Sequence, residues 1–351
     1  MRANKYGWCL AVALWAAVSG CAAKSATGGA QVQVSTIDYK GWAGAVELTN
    51  GEVRLVVVPS IGRIMHYGFV GEANVLWDDP QHYGKTLPGG QPFKDEEGNL
   101  AWTNFGGDKV WPNQQSEFEA INGYAWPPDP AYDGGAHQVE MLADGVTITG
   151  PLSPLNGARS IRTIRLAASG SRVSIEQRLQ KEQAVGNSEL DPLRYTIWNV
   201  TQIRPPEQTL YPLNPLSDLK GGIHHFEWQA EVSAKNYRAE DGIGIYIPDP
   251  EENQKIGADS DGWLAGIVDQ TVIAEFYRRD DAAIYPDGGL SAEVYTCPDY
   301  TELELLSPWV PLAVGEVLDF PIAWELHRLP EEAQTADARR RAALEWLRSH
   351  P

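Results

Sequence analysis

Asp287, Glu293, Asp299, Glu302 and Glu304 crowd into residues 285–316, a short aromatic-rich stretch near the end of the chain. If the residues around 302 form a strand, Glu302 and Glu304 share one face while Leu303 and Leu305 share the other. Like charges on one strand face repel mildly unless a cation, a base or a ligand uses them. The spacing alone fits equally well an exposed edge strand with solvated carboxylates.

A second set surrounds three tryptophans. Trp102, Trp111 and Trp126 fall in a turn-rich stretch that also carries Asn104, Asp108, Lys109, Asn113, Gln114 and Gln115. Indole faces stack on the C–H faces of sugar rings, and the amide, carboxylate and ammonium groups hydrogen-bond hydroxyls. The combination predicts a sugar pocket; the alternative is tryptophans that pack a sandwich beneath an ordered loop. Arg63 follows a β-like run at 53–59, and either reaches ring hydroxyls or pairs with a late carboxylate. Of the histidines, His66, His82, His137 and His327 stand alone, and the pair His224-His225 has no motif around it. On a β-rich domain such residues are more often structural than catalytic.

No Cys/His pairs suit a structural zinc. Asp287, Glu293 and their neighbours are chemically suited to calcium, but no loop has the spacing of a calcium motif. The reading therefore names no metal and no cofactor.

The N-terminus bears on where these groups would act. Arg2 and Lys5 precede an apolar run at 6–18 that is short for a membrane span. The run ends in Val18-Ser19-Gly20-Cys21, similar to the lipobox of a bacterial lipoprotein signal. Residues 1–20 are thus expected to be a cleaved signal, with Cys21 lipidated and residues 21–34 a polar tether. Ala22 and Ala23 follow the cysteine with no Asp, which points to an outer-membrane anchor facing the periplasm in a Gram-negative source. Cys9 leaves with the signal, so Cys297 has no internal partner and reads as a small buried hydrophobe rather than a nucleophile.

Signal removal takes Lys+Arg from 28 to 26 against 47 Asp+Glu, a net charge of −21. Such a surface repels phosphate backbones and anionic head groups, so nucleic acid is excluded as a partner and the membrane is reached through the lipid alone. An uncharged ligand suits this field better than a polyanion.

Residues 35–329 show no long linker and no repeat, and strand-like runs dominate. They fall at 53–59, 138–142, 145–149, 160–167, 172–179, 193–202, 243–247, 272–276 and 317–327, and turn pairs such as Asn50-Gly51 and Asp144-Gly145 punctuate them. Residues 330–351 read as a helix that starts acidic and ends basic, as a helix dipole prefers. The fold class is all-β, a sandwich or supersandwich with a short C-terminal helix.

Several segments in this order resemble an uncharacterised bacterial family of the galactose mutarotase-like superfamily. They are Val58-Pro59-Ser60-Ile61-Gly62-Arg63-Ile64, Asn74-Val75-Leu76-Trp77 and Asn104-Phe105-Gly106-Gly107-Asp108-Lys109-Val110-Trp111-Pro112. Further on come Tyr195-Thr196-Ile197-Trp198-Asn199-Val200-Thr201, Tyr285-Pro286-Asp287-Gly288-Gly289 and Tyr300-Thr301-Glu302-Leu303-Glu304, followed by Gly315-Glu316 and Trp324-Glu325-Leu326. The resemblance implies a galactose mutarotase-like β-supersandwich that binds carbohydrate on the concave face of its large sheet. In superfamily enzymes that interconvert sugar anomers, a carboxylate takes the anomeric proton while a His protonates the ring oxygen. The base position falls at Glu304 or Glu302, with Glu304 slightly favoured. The mid-chain strand that carries the His there corresponds to residues 195–202, which contain none; Tyr195, Lys109 and Tyr300 are the substitutes considered.

Ligand contacts are expected from Arg63, Asn104, Lys109, Trp111, Trp198 and Asp287. Three functions stay open: an aldose 1-epimerase-like isomerase, a carbohydrate-binding lipoprotein without turnover, and a non-catalytic envelope scaffold.

Overall fold

The computed structural model describes residues 31–87, 93–94, 97–185 and 193–349. Two large antiparallel sheets face each other. The ten-stranded sheet runs, in spatial order, Gln33–Tyr39, Trp42–Thr49, Val53–Val58, Arg63–Phe69, Asp108–Trp111, Trp198–Ile203, Thr301–Leu306, Ala292–Thr296, Gln254–Ala258 and His224–His225. The eleven-stranded sheet runs Tyr237–Glu240, Ile243–Tyr246, Gln208–Pro212, Trp263–Val268, Thr271–Tyr277, Ile322–Arg328, Val173–Lys181, Ala158–Leu166, Gly145–Thr149 and Gln138–Met141, with Val317–Asp319 also paired to Val173–Lys181.

Strand periodicity accounts for the core. Val173–Lys181 alternates buried and open positions, its Val173, Ile175 and Leu179 entering the main apolar cluster between the sheets. Trp198–Ile203 and Thr301–Leu306 are buried at every position. One face of each packs on the partner sheet, so something else must cover the other; that cover forms the candidate site. The inter-sheet face also holds charge: Arg162 donates to Asp108, and the Thr201 hydroxyl donates to Asp108 Oδ2 at 3.1 Å. Asp108, read from the sequence as a sugar contact, therefore points into the sandwich and not into the tryptophan-lined side.

Several boundaries differ from the sequence reading. The run at 193–202 is two strands, because Thr196 and the Ile197 N–H bond Ser307 and turn the chain out of the sheet. The run at 317–327 breaks at Pro321, which has no N–H for the ladder. Gln33 and Val34, expected in the tether, already pair as strand. The helix begins at Ala336, not at 330, because the Thr335 side chain caps the Ala338 N–H at 3.2 Å. Ala343, Leu347 and Trp346 lay this helix over an apolar patch on the outer face of the eleven-stranded sheet, and Arg339 fixes it to Glu207 through two bonds of 2.7 and 2.9 Å. Cys21 and the expected signal lie outside the described residues.

Candidate functional site

Register brings the chemistry together. Glu304 pairs with Glu293 on one side and Val200 on the other, while Glu302 pairs with Tyr295 and Gln202. The same alignment sets Val200 opposite Lys109, Trp198 opposite Trp111, and Lys255 opposite Tyr295. His224 follows at the sheet edge, opposite Gly257, which itself pairs with Glu293. Because facing residues share a face, all these side chains stand on the face turned away from the partner sheet.

Two buried lysines organise that face. Lys255 Nζ lies 2.6 Å from Glu293 Oε2 and 3.0 Å from Glu304 Oε2, and 4.7 Å from the Trp198 ring centre. The Trp198 indole N–H also donates to Glu304 Oε2, at 2.7 Å. Lys109 Nζ reaches Glu302 Oε1 at 3.1 Å and sits 5.1 Å from the Trp111 ring, and the Gln202 amide donates to the same Oε1 at 2.9 Å. Burial lowers Lys109 from its ordinary value, with the Glu302 carboxylate pulling the other way.

The carboxyls are not equivalent. Burial pushes Glu304 up to about 8, Lys255 pulling it down while Glu293 and Glu302 push it further up. Burial also raises Glu293, against the pull of Lys255, with Asp287 adding to the rise. Burial alone would depress Lys255, but Glu293 and Glu304 outweigh it and hold the ammonium above its ordinary range. Both donors to Glu304, and the Lys255 bond to Glu293, use the Oε2 atoms. The Oε1 of each glutamate is buried with no donor among the described residues. The two raised carboxyls are cross-strand neighbours, and one of them keeping its proton leaves a single negative charge against Lys255.

Two adjoining hollows open over this floor. The larger, about 700 Å³, is walled by Trp198, Lys255, Glu293, Asp287, His224, His225, Phe226 and Trp228, with Gln115 and Ser116 at its side. The smaller, about 260 Å³, is lined by Trp102, Trp111, Trp126, Trp198, Trp228, Tyr295, Tyr300 and Glu302. They share Gln115, Trp198, Trp228 and Lys255. The indoles of Trp102, Trp111, Trp126 and Trp198 meet edge to face, with centroids 4.9–6.3 Å apart.

Trp111, Trp198, Glu302 and Asp287 thus line the hollows, and Lys109 lies beneath, held by Glu302. Glu304 is fully buried and borders the hollows through Trp198, Lys255 and its cross-strand neighbour Glu293. Arg63 and Asn104 are corrections. The Arg63 guanidinium is fully buried, bonded to the Asp133 carbonyl and carboxylate and to the Gly106 carbonyl, so it meets neither a ligand nor a late carboxylate. It acts at one remove, since Asp133 also accepts the indole N–H groups of Trp102 (3.0 Å) and Trp111 (3.1 Å). Arg63→Lys keeps the charge and loses the fork, so it is expected to cost about 1–3 kcal/mol and weaken the near-ultraviolet dichroism of the indole cluster. An unchanged spectrum and midpoint would refute that bracing role. Asn104 is half-buried and lines neither hollow, its Oδ1 without a donor among the described residues.

The sequence reading missed Lys255, Phe226, Trp228 and Tyr295 as site residues, and noted Glu293 only within the acidic stretch. The one available signal for Lys255 was a lysine inside the short β-like run Gln254–Ala258. Among the histidines, His66 and His137 are pushed down to about 4 by burial, and His327 stacks on Trp346. Cys297 is half-buried, and burial pushes its thiol up, away from nucleophilic character.

Comparison with known proteins bears on the fold. The profile of a domain of unknown function, DUF4380, matches residues 44–327. A provisionally assigned aldose 1-epimerase from Klebsiella pneumoniae superposes with a TM-score of 0.53 at 12% identity, over 89% of this chain and 87% of that one. A TPR-domain containing protein from Parabacteroides distasonis gives 0.51 at 12% identity, over 83% of this chain and 48% of that one. No curated protein sequence matches. At these identities the likeness establishes the galactose mutarotase-like β-supersandwich and nothing finer.

Proposed function

The chain belongs to the DUF4380 family, a domain of unknown function, and we propose that it binds neutral carbohydrate on the open face of its ten-stranded sheet. The observation that carries this is the pair of hollows, walled by indole rings and floored by charged and amide groups. Aromatic faces take the C–H face of a sugar, while Gln115, Glu302 and Lys255 serve its hydroxyls. The Klebsiella neighbour, provisionally described as an aldose 1-epimerase, supports the same ligand class.

Turnover of the aldose 1-epimerase type is the finer reading. The base is Glu302 rather than Glu304, because Glu302 lines a hollow and Glu304 is buried and inclined to keep its proton near neutrality. Glu302 takes the anomeric hydroxyl proton as the C1–O5 bond breaks and its electron pair passes to the ring oxygen. The ring oxygen takes the proton kept by the Glu293/Glu304 pair, of which Glu293 lines the larger hollow. Rotation about C1–C2 and reversal of both transfers complete anomer exchange. This donor replaces the histidine missing from Trp198–Ile203. His224 suits the task less, since burial and His225 hold its imidazole below its ordinary value and therefore neutral at pH 7.

Anomer exchange by NMR across free aldoses, with and without protein, tests both levels. Acceleration lost in Glu302→Gln and in Glu293→Gln supports the mechanism. Line broadening without acceleration reduces the protein to a binder, and neither effect across the panel refutes the free-sugar reading.

The same proposal has Cys21 lipidated after removal of residues 1–20, so that the domain is held at the periplasmic face of the outer membrane. The apolar run at 6–18 and the small residues before Cys21 support it. The mature protein is expected in the membrane fraction with the mass of a diacylglyceryl group, and Cys21→Ser in neither state. Equal mass and fractionation for the two would sink this part.

A further inference from the structure

A third hollow, of about 550 Å³, lies beside the larger one, and Asp287 stands in the wall of both. Its walls are Tyr285, Trp309, Arg279 and Gln114, with Leu216 and Ile284 at its side. Gln114 and Ser116 fix the divide: Gln114 Oε1 accepts the Asp287 N–H at 3.1 Å, and Ser116 donates to Asp287 Oδ1 at 3.4 Å. Asp287 has a positive φ of 47° and precedes two glycines, so the divide is a turn with little side chain standing above it.

Three observations point to a ligand that crosses this divide. The three most exposed large apolar side chains among the described residues are Leu216 at 71%, Ile284 at 63% and Trp228 at 57%, and all stand on these walls. Exposed apolar groups gathered along one trough mark a binding surface. The Trp309 indole N–H has no acceptor among the described residues, although its ring lies under Arg194 at 4.8 Å. The charge is acidic, since Arg279 is consumed by Asp259 and Asp281 while Asp218 and Asp287 remain on the walls. That field favours an uncharged glycan over an acidic one.

We infer that the hollows form one extended trough whose ligand is a neutral oligosaccharide, with one unit in the tryptophan-lined part and further units beyond Asp287 against Tyr285 and Trp309. A hollow of about 300–1,000 Å³ already accepts a drug-sized ligand, so the joined volume is more than one sugar ring needs. The inference rests on the carbohydrate reading above and specifies its ligand.

Calorimetry on the full chain in detergent tests it, with neutral homo-oligosaccharide ladders of glucose, galactose, mannose, xylose and N-acetylglucosamine from monomer to hexamer. Affinity is expected to rise about tenfold or more along at least one ladder. Trp309→Ala returns the longer ligand to the monomer's affinity. Ile284→Asn, at an exposed position that tolerates a polar group, does the same in part and covers the case in which the tryptophan variant misfolds. Monomer binding without gain along any ladder overturns the trough and leaves the sugar site standing. A length-dependent gain untouched by both variants overturns it as well, and no binding by any member of any ladder removes both readings.

Discussion

Lys255→Met is expected to destabilise the protein by about 3–5 kcal/mol, read as a lower denaturant midpoint at constant slope. Lys255 is 5% exposed and holds two carboxyls that are themselves buried, Glu293 and Glu304. Its removal leaves the remaining negative charge with no counter-ion in a medium that solvates it poorly, and also strips the Trp198 ring of its cation. Much of that loss should return in Lys255→Met combined with Glu293→Gln, because the charge left uncompensated is then absent too. The cycle therefore predicts a large favourable coupling between the two substitutions. Arg178, half-exposed and paired with Asp319, is the internal control: Arg178→Ala should cost only about 0–1 kcal/mol. A Lys255→Met loss as small as that of the control, or strict additivity in the cycle, would show that the buried pair does not hold this face together.

The local part of this arrangement was legible in the sequence, and the long-range part was not. The period of two that puts Glu302 and Glu304 on one face is a property of any strand, and the structure has it at Thr301–Leu306. Alternation at 171–179 likewise marked Val173–Lys181. What the spacing left open was whether the Glu302/Glu304 face was an exposed edge. Pairing on both sides and burial at every position make it interior, and only sheet order decides that. Lys255 and His224 reach the site through strands that neighbour it in space but not in sequence, with no motif around them. Arg63 was read as a ligand contact because an arginine after a strand can point either way; its partner Asp133 is seventy positions on, in a short helix that no local pattern announced. Asn104 failed for a related reason. A polar residue in a turn-rich stretch serves the pocket or the backbone, and composition does not distinguish the two.

Glu304 on one side and His66 and His137 on the other should make stability depend on pH in opposite directions. Glu304 is raised from 4.5 to about 8 in the folded protein, so between those values the folded state holds a proton that the unfolded chain has released. Its contribution is complete below pH 4.5 and lost as pH rises through 8. His66 and His137 are lowered from 6.5 to about 4, so below pH 6.5 the unfolded chain binds protons that the folded state refuses. Their contribution is present above 6.5 and lost as pH falls toward 4. Burial raises Glu293 and Glu275 as well, so their contributions run in the same direction as that of Glu304 and against that of the histidines. Each uncompensated proton gives a slope of about 1.4 kcal/mol per pH unit at most. Glu304→Gln keeps the shape and removes this titration, so between pH 6.5 and 8 the variant should lose less stability with rising pH than the wild type. Melting temperatures from pH 4 to 9 for the two proteins decide the matter. Profiles of the two proteins that run parallel above pH 6.5 would mean that Glu304 is ionised at neutrality. The proton assigned to the Glu293/Glu304 pair, and with it the proposed donor to the sugar ring oxygen, would then be absent.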